Sequence, residues 1–342
     1  FNSIPEHYFF NEMVRNYHFQ TSNQTMSKDK EKRLQKTIDA LMVSYREHPE
    51  IEHIGVVALP TKESIVKLVE DIQVLLFPGL IRQESFDNLN LPHIVGQQTV
   101  SIFYRLKEFI ELVLCWKASQ EGENCEEQPE FGEQVENIAF EFLEYIPELR
   151  DVLSEDVDAI LQGDPASVSK REIVLAYPGL QAVSVFRIAH FLHERSVPLI
   201  PRIMTEHIHS QTGIDIHPGV SIGKGLMIDH GTGIVIGETA VIKNQIRLYQ
   251  GVTLGALSPQ HSLANPNLKR HPTIENNVIV YSGATILGDV VIGEGSIIGG
   301  NVWVFRSNSY FCIPDVWLVL ALESDSRWKA SSAKRTDAVL QS

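Results

Sequence analysis

The chain has 342 residues, of which 43% are hydrophobic and 21% are charged, and its formal net charge at pH 7 is -14. A chain of this length and apolar content can bury a large core and favours two domains. The acidic balance argues against a nucleic-acid backbone as partner, because that role requires clustered Lys and Arg.

Compartment and metal content are also constrained by composition. The three cysteines, Cys115, Cys125 and Cys312, are too few and too scattered for a disulfide framework, which favours a reducing compartment. No Cys/His spacing typical of a metal site occurs, so we expect no metal.

No apolar run approaches the ~20 residues that cross a bilayer, and no secretory signal is seen at the start. A cytoplasmic location is therefore the expectation.

The N-terminal half of the chain is predicted to be helical. Residues 1–27 are polar and mixed, and are predicted to form a flexible arm. Beyond them, apolar residues recur at helical spacing. The pattern predicts helices over 28–48, 62–76, 91–118, 131–145, 149–161, 170–176, 180–195 and 201–211.

From about residue 214 the apolar period changes to six. The first series of aliphatic residues is Ile216, Ile222, Ile228, Ile234, Ala240, Ile246 and Val252. The second is Ile274, Val280, Ile286, Ile292, Ile298 and Val304. Neither a helix nor a single strand has this period, whereas a triangular coil with one inward aliphatic per short strand does. The pattern predicts a left-handed parallel β-helix, with a β-sandwich of short strands as the alternative.

The predicted fold class is therefore α + β, with an all-helical N-terminal domain followed by a β-helix of hexapeptide repeats. The domains are predicted at 28–211 and 212–306, with about 18 residues per coil. Because the two series are out of phase at their join, a loop must leave the coil at 255–272. Residues 307–342 are predicted to form an atypical tail.

Polar residues that interrupt the repeat are the candidates for chemistry. Asp215 and His230 are fifteen residues apart and should fall on neighbouring coils. A carboxylate can accept a hydrogen bond from one imidazole nitrogen and leave the other nitrogen as a base. Arg270 and His271 form a further polar pair at the end of the loop. A hydrogen-bonded surface pair is the alternative interpretation for each acid and histidine.

Several of these segments together resemble serine O-acetyltransferase, in the longer form with an extended helical region. The matching runs are Asp-Ile-His-Pro at 215–218, Asp-His-Gly-Thr-Gly at 229–233, Gly-Val-Thr-Leu-Gly at 251–255, Arg-His-Pro at 270–272 and Tyr-Pro-Gly-Leu-Gln-Ala at 177–182. The resemblance implies transfer of an acetyl group from acetyl-CoA to the hydroxyl of L-serine, giving O-acetyl-L-serine and CoA, the first step from serine to cysteine.

The resemblance also implies roles for individual residues. His230 matches the general base and Asp215 the carboxylate that orients it. Two further acids, Asp164 and Asp229, match those that hold the serine ammonium. The pair that receives the serine carboxylate matches Arg270 and His271.

For CoA, which lies along the coils in this family, the candidates are Gly255, Ala256 and Ser282. The resemblance further implies a homotrimer or a dimer of trimers with sites between subunits, and feedback inhibition by L-cysteine. The chain lacks the family's C-terminal tail, which argues against docking to O-acetylserine sulfhydrylase.

Two other functions stay open from the sequence. The same fold can acetylate homoserine, a sugar or another hydroxyl compound, although the charges at Asp164, Asp229 and Arg270 favour a small amino acid. Alternatively, the chain is a catalytically silent subunit whose β-helix serves only assembly. Release of CoA thiol with serine as acceptor separates these possibilities.

Overall fold

The computed structural model describes residues 27–53, 58–81, 89–125, 130–257, 268–305, 317–321 and 329–333. The chain divides into two compact units, Phe1–Val56 and Val57–Ser342. In the first unit, helix α1 (Lys28–Glu47) is followed by a 3-10 turn at Pro49–Ile51, and it buries none of its residues. The predicted arm lies almost entirely outside the described residues.

The second unit begins with helices whose positions agree closely with the predicted ones. Thr61 caps the first of them by accepting a hydrogen bond from the Ser64 backbone N–H at 3.1 Å. Gly213, with φ +70°, ends the last one in the left-handed conformation that glycine adopts without strain. The helices are α2 (Lys62–Leu76), α3 (Leu91–Gln120), α4 (Phe131–Gly163), α5 (Lys170–Ala176), α6 (Pro178–Glu194) and α7 (Ile200–Thr212).

Helix α4 corrects one prediction. The sequence suggested two helices, 131–145 and 149–161, but the structure has one helix that runs through Pro147. A proline inside a helix removes one backbone hydrogen bond and costs about 3 kcal/mol. The neighbouring Phe142, Ile146 and Leu149 are buried in the core, and this packing offsets the cost.

Two of the cysteines are paired, which the sequence analysis did not anticipate. Cys115, in the last turns of α3, is joined to Cys125 by a disulfide with an S–S distance of 2.02 Å. The bridge ties the end of α3 to the segment that follows it. Cys312 lies outside the described residues.

The described residues of 214–257 and 268–304 form the predicted left-handed parallel β-helix, which confirms the fold class. Its short strands stack into three sheets, each forming one side of a prism. Sheet A contains β1 (Ile214–Ile216), β4 (Ile234–Ile236), β7 (Thr253–Gly255), β10 (Thr285–Leu287) and β13 (Trp303–Val304). Sheet B contains β2 (Ser221–Ile222), β5 (Val241–Ile242), β8 (Thr273–Ile274) and β11 (Val291–Ile292). Sheet C contains β3 (Met227–Asp229), β6 (Arg247–Tyr249), β9 (Ile279–Val280) and β12 (Ile297–Ile298), continued by β14 (Trp317–Ala321) and β15 (Lys329–Ala333).

The strand register shows that the first coil is longer than predicted. Ile216 pairs with Ile236, twenty residues on, whereas Ile236 pairs with Leu254, eighteen residues on. Asp229 still pairs with Tyr249 at the longer spacing. The two additional residues therefore lie in the corner between β3 and β4, so the expected single series of aliphatics is interrupted there.

The helices and the coil share one hydrophobic core. A buried ion pair also crosses their junction. The Arg187 guanidinium donates to both oxygens of the Asp156 carboxylate at 2.9 and 3.1 Å and to the Gly223 carbonyl at 2.7 Å. The same carboxylate accepts the Leu226 backbone N–H at 2.8 Å. Helices α4 and α6 are thereby fixed against the second corner of the first coil.

The tail contains two strands that the sequence analysis did not predict. Strand β14 adds in parallel to β12, and β15 pairs with β14 in antiparallel fashion. The rest of the tail lies outside the described residues. Among the described residues, no single helix has both the length and the apolar character that crossing a bilayer needs, although α5 and α6 reach that threshold together across a 74° bend.

Candidate active site

The corner between sheets C and A carries the candidate base. His230 has φ +58° there, and Gly231 and Gly233 follow at +82° and +80°. This corner has two residues more than the corner between sheets C and A in the next coil. Because of this extra length it projects the imidazole outward, and 69% of that side chain is exposed. The imidazole Nδ1 lies 3.6 Å from the Asp229 carboxylate, and Nε2 has no hydrogen-bond or ion-pair partner among the described residues.

Asp164 is brought beside this corner by the end of α4. The Tyr177 hydroxyl donates a hydrogen bond to Asp164 Oδ2 at 2.6 Å, and the Ala166 backbone N–H donates to Oδ1 at 2.8 Å. The bond from Tyr177, followed by the one from Ala166, lowers the pKa of Asp164, and the nearby His230 lowers it further. Asp164, Asp229 and His230 thus belong to one cluster, which we call the C/A cluster.

The corner between sheets A and B carries the other predicted pair. The Arg270 guanidinium is bonded to the Glu238 carboxylate. His271 is buried, and its Nδ1 accepts the Thr239 backbone N–H at 3.1 Å. The Lys269 ammonium donates to the backbone carbonyls of Thr239 and His271, which anchors the end of the loop at this corner. We call Glu238, Arg270 and His271 the A/B cluster.

His271 is held neutral by its surroundings. Burial, followed by the positive charge of Arg270 and Lys269, lowers its pKa to about 4. Because Nδ1 accepts a backbone N–H, the neutral ring carries its proton on Nε2 and can donate from there. Gly237 provides the space for this nitrogen, since a Cβ added there would lie 2.1 Å from it.

Two further histidines belong to this corner. His193 on α6 and His217 lie edge to face with ring centroids 5.9 Å apart, and both border Gly219 with Glu238. Burial lowers the pKa of both imidazoles. His217 stands in the matching run 215–218 without a predicted role, and His193, which the helical region contributes, was not predicted.

In one chain the two clusters stay apart. Strand β4, about 10 Å long at ~3.3 Å per residue, separates the two corners. The charges that act on His271 are those of Arg270, Lys269, Glu238 and His217. Those that act on Tyr177 are Asp164, Glu172 and Asp229. The two sets of described residues have no member in common.

Asp215 lies elsewhere in the single chain. Its carboxylate, a Glu206 oxygen and a His209 ring nitrogen all lie within 4.8 Å of one another, a group that could hold a metal ion. One oxygen of Glu206 is already paired with Arg202. Within the described part of the chain, no hydrogen bond or ion pair joins Asp215 to His230.

The residues predicted to bind CoA lie at the same two corners as the A/B cluster and the C/A cluster. Gly255 ends β7 at the corner between sheets A and B, and Ala256 follows it. Ser282 lies at the corner between sheets C and A, where its carbonyl accepts the Asn301 backbone N–H at 2.9 Å. One chain therefore supplies part of this set at each corner.

A three-sided coil with histidines and acids at its corners is the architecture of a hexapeptide-repeat transferase. The family model for bacterial transferase hexapeptides of six repeats matches residues 271–306. The fold and this match define the class of protein.

Comparison with whole proteins narrows the class. The chain is 39% identical over 252 residues to a plasmid serine acetyltransferase of Synechococcus elongatus, covering 73% of this chain and 79% of the relative. It is 40% identical over 171 residues to the serine acetyltransferase of Bacillus subtilis, covering 50% of this chain and 74% of that protein. A crystal structure of serine acetyltransferase isoform 3 from Entamoeba histolytica with cysteine matches at TM-score 0.59 and 35% identity, over 80% of this chain and 88% of that one. The chain belongs to the serine acetyltransferase family.

Proposed function

We propose that the chain transfers the acetyl group of acetyl-CoA to the hydroxyl of L-serine, giving O-acetyl-L-serine and CoA. The observation that carries the proposal is the C/A cluster, in which an exposed imidazole lies beside two carboxylates at the corner of a transferase coil. Carboxylates suit the ammonium of an amino acid, and a free ring nitrogen suits proton removal from a hydroxyl.

In the proposed reaction, His230 is the general base. Its free ring nitrogen takes the proton of the serine hydroxyl while that oxygen bonds to the acetyl carbon of the thioester. The carbon–sulfur bond then breaks, and the leaving CoA thiolate recovers the proton from the imidazolium. An imidazole is the side chain best suited to exchanging a proton in this way.

The carboxylate that stabilises the imidazolium is the finer part of the proposal. The family resemblance assigns this role to Asp215, while Asp229 is the nearer acid in the single chain, at 3.6 Å from the ring. We propose that Asp215 orients His230 in the assembled enzyme and that Asp229, with Asp164, holds the serine ammonium.

The assembly that completes the site is proposed to be a homotrimer, alone or as a dimer of trimers. We propose that the C/A corner of one prism lies against the A/B corner of the next around the threefold axis. The serine ammonium and carboxylate are attached to the same carbon, so one molecule can bridge two facing corners. The same arrangement brings Ser282 of one subunit toward Gly255 and Ala256 of its neighbour, where CoA would bind. We also propose the domain boundary at residues 211/212, between the helical region and the coil.

L-cysteine is proposed to inhibit by occupying the serine site. It has the same ammonium and carboxylate as serine, and the E. histolytica isoforms 1 and 3 crystallise with cysteine. We therefore expect competition between serine and cysteine. A cytoplasmic location is proposed with this biosynthetic role.

The test of the mechanism is a set of substitutions at the C/A corner. His230→Ala should lower kcat about 10²–10⁴-fold, because it removes the proton transfer. Asp215→Asn should also lower kcat, whereas Asp229→Asn should mainly raise the KM for serine. Release of CoA thiol is measured with serine and with homoserine as acceptors.

Circular dichroism of each variant supplies the control, since the coil should stay folded. A folded His230→Ala enzyme with wild-type turnover would exclude the base assignment. Faster thiol release with homoserine than with serine would instead show that homoserine is the preferred acceptor of the acetyl group.

A further inference from the structure

Tyr177 occupies a special place in the helical region. It is the residue between α5 and α6, where Pro178 begins the second helix and the chain bends by 74°. Its side chain therefore leaves the helical path and reaches back thirteen residues to the end of α4. Tyr177 stands in the matching run 177–182 without a predicted role.

The hydrogen bonds around Asp164 leave acceptor positions on its carboxylate oxygens that can bind a cation. One oxygen of the carboxylate accepts from Tyr177 and the other from the Ala166 backbone N–H. Each carboxylate oxygen can accept about two hydrogen bonds, so each has one position left for a further donor. An ammonium group with three N–H donors fits such a site.

The surroundings of Tyr177 keep the phenol in its donating form. The hydrogen bond to Asp164, followed by burial and then by nearby negative charges that include Asp229, raises the pKa of Tyr177 to about 12. The hydroxyl therefore holds its proton across the working pH range, and the carboxylate remains ionised.

We propose that Tyr177 is a positioning residue for the amino-acid substrate, because its hydroxyl fixes the Asp164 carboxylate in the orientation that receives the substrate ammonium. This inference rests on the proposed function. Tyr177 acts through Asp164 and takes no part in the proton transfer at His230.

A purely structural role for the Tyr177 hydroxyl can be distinguished from a positioning role, because the loop after α4 is held by other hydrogen bonds. The Ser167 backbone N–H and hydroxyl both donate to the Asp164 carbonyl, at 3.1 and 2.8 Å. Ser169 caps α5 by accepting the Glu172 backbone N–H at 3.2 Å, and the Val168 N–H donates to the Glu172 carboxylate at 2.7 Å. Removing one phenol oxygen leaves all of these in place.

The experiment is steady-state kinetics of the full chain carrying Tyr177→Phe. Loss of a hydrogen bond to a charged group should raise the KM for serine about tenfold. The kcat and the KM for acetyl-CoA should change less than about twofold. In an Asp164→Asn background, Tyr177→Phe should have no further effect, since the two residues act as a unit.

Tyr145→Phe is the matched control, because that phenol is stacked on Phe191 in the helical region, and it should leave the kinetics unchanged. An unchanged KM for serine in folded Tyr177→Phe, or additive effects with Asp164→Asn, would overturn the positioning role while leaving the proposed function intact. A wild-type chain without serine acetylation would instead overturn both.

Discussion

Two histidines of the candidate site have opposite environments. His230 projects into solvent from a corner with positive φ, whereas His271 is buried against Gly237 and accepts a backbone N–H from Thr239. The first is free to exchange a proton, and the second presents a fixed N–H donor. This division suits a base and a carboxylate receptor respectively.

The neutral state of His271 should make folding stability depend on pH. Its folded pKa of about 4 lies below the value of 6.5 expected in the unfolded chain. Between these values the unfolded chain binds a proton that the folded chain does not, so stability falls as pH decreases from about 6.5 to about 4 and levels off below. Urea unfolding across this range should give a shallower pH dependence for His271→Gln than for the wild type. Equal slopes would show that the ring is protonated in the folded protein.

How far the site could be predicted depends on where each residue comes from. The pairs Asp229–His230 and Arg270–His271 are contiguous, so their grouping follows from the sequence. Tyr177 and His193 come from the helical region, and only the packing of α6 on the coil brings them to the corners. No periodicity in the sequence encodes that contact.

At the level of elements, the period of six was enough to predict the coil, because each inward aliphatic fills a prism of fixed size. The period could not place the two-residue enlargement between Asp229 and Val235, since neighbouring strand registers are needed to see it. The continuous α4 was missed because Pro147 is unfavourable locally and is compensated by core packing. Tertiary contacts thus decided what local rules left open.

Among substitutions in these elements, those at the buried ion pair between the helices and the coil should lower the free energy of unfolding most. Arg187→Met leaves the Asp156 carboxylate buried without its partner, and we expect it to lower the free energy of unfolding by about 3–5 kcal/mol. Denaturant unfolding measures this. The adjacent exposed pair of Lys224 and Glu155 is the control, and Lys224→Met should cost about 0–1 kcal/mol. Equal costs would mean that the buried pair is dispensable.

For the whole molecule, the separation of the C/A and A/B clusters makes a lone chain an incomplete enzyme under the proposed function. The two groups that would hold the ends of serine lie at different corners of the prism. A neighbouring prism is then required for every turnover, and activity should be a property of the assembly.

Mixed assemblies test this directly. His230→Ala and Arg270→Ala should each be inactive alone, but co-expression should restore about a quarter of wild-type turnover, because that fraction of subunit contacts pairs two intact corners. Co-expressing His230→Ala with Asp164→Asn is the control, since both changes affect the same corner and no intact site can form. Recovery in the control, or none in the test pair, would contradict a site shared between subunits.

The common core of the helices and the coil has a consequence for building hybrid enzymes. A Cβ added at Gly163 would lie 2.1 Å from the Met227 sulfur, and one added at Gly179 would lie 2.3 Å from the Ile228 carbonyl oxygen. Surfaces matched this closely cannot be exchanged separately. A recombinant joined at Gly213 would place the first coil against foreign helices, so segments swapped between relatives must carry the sequence from Val57 through Val304 as one block.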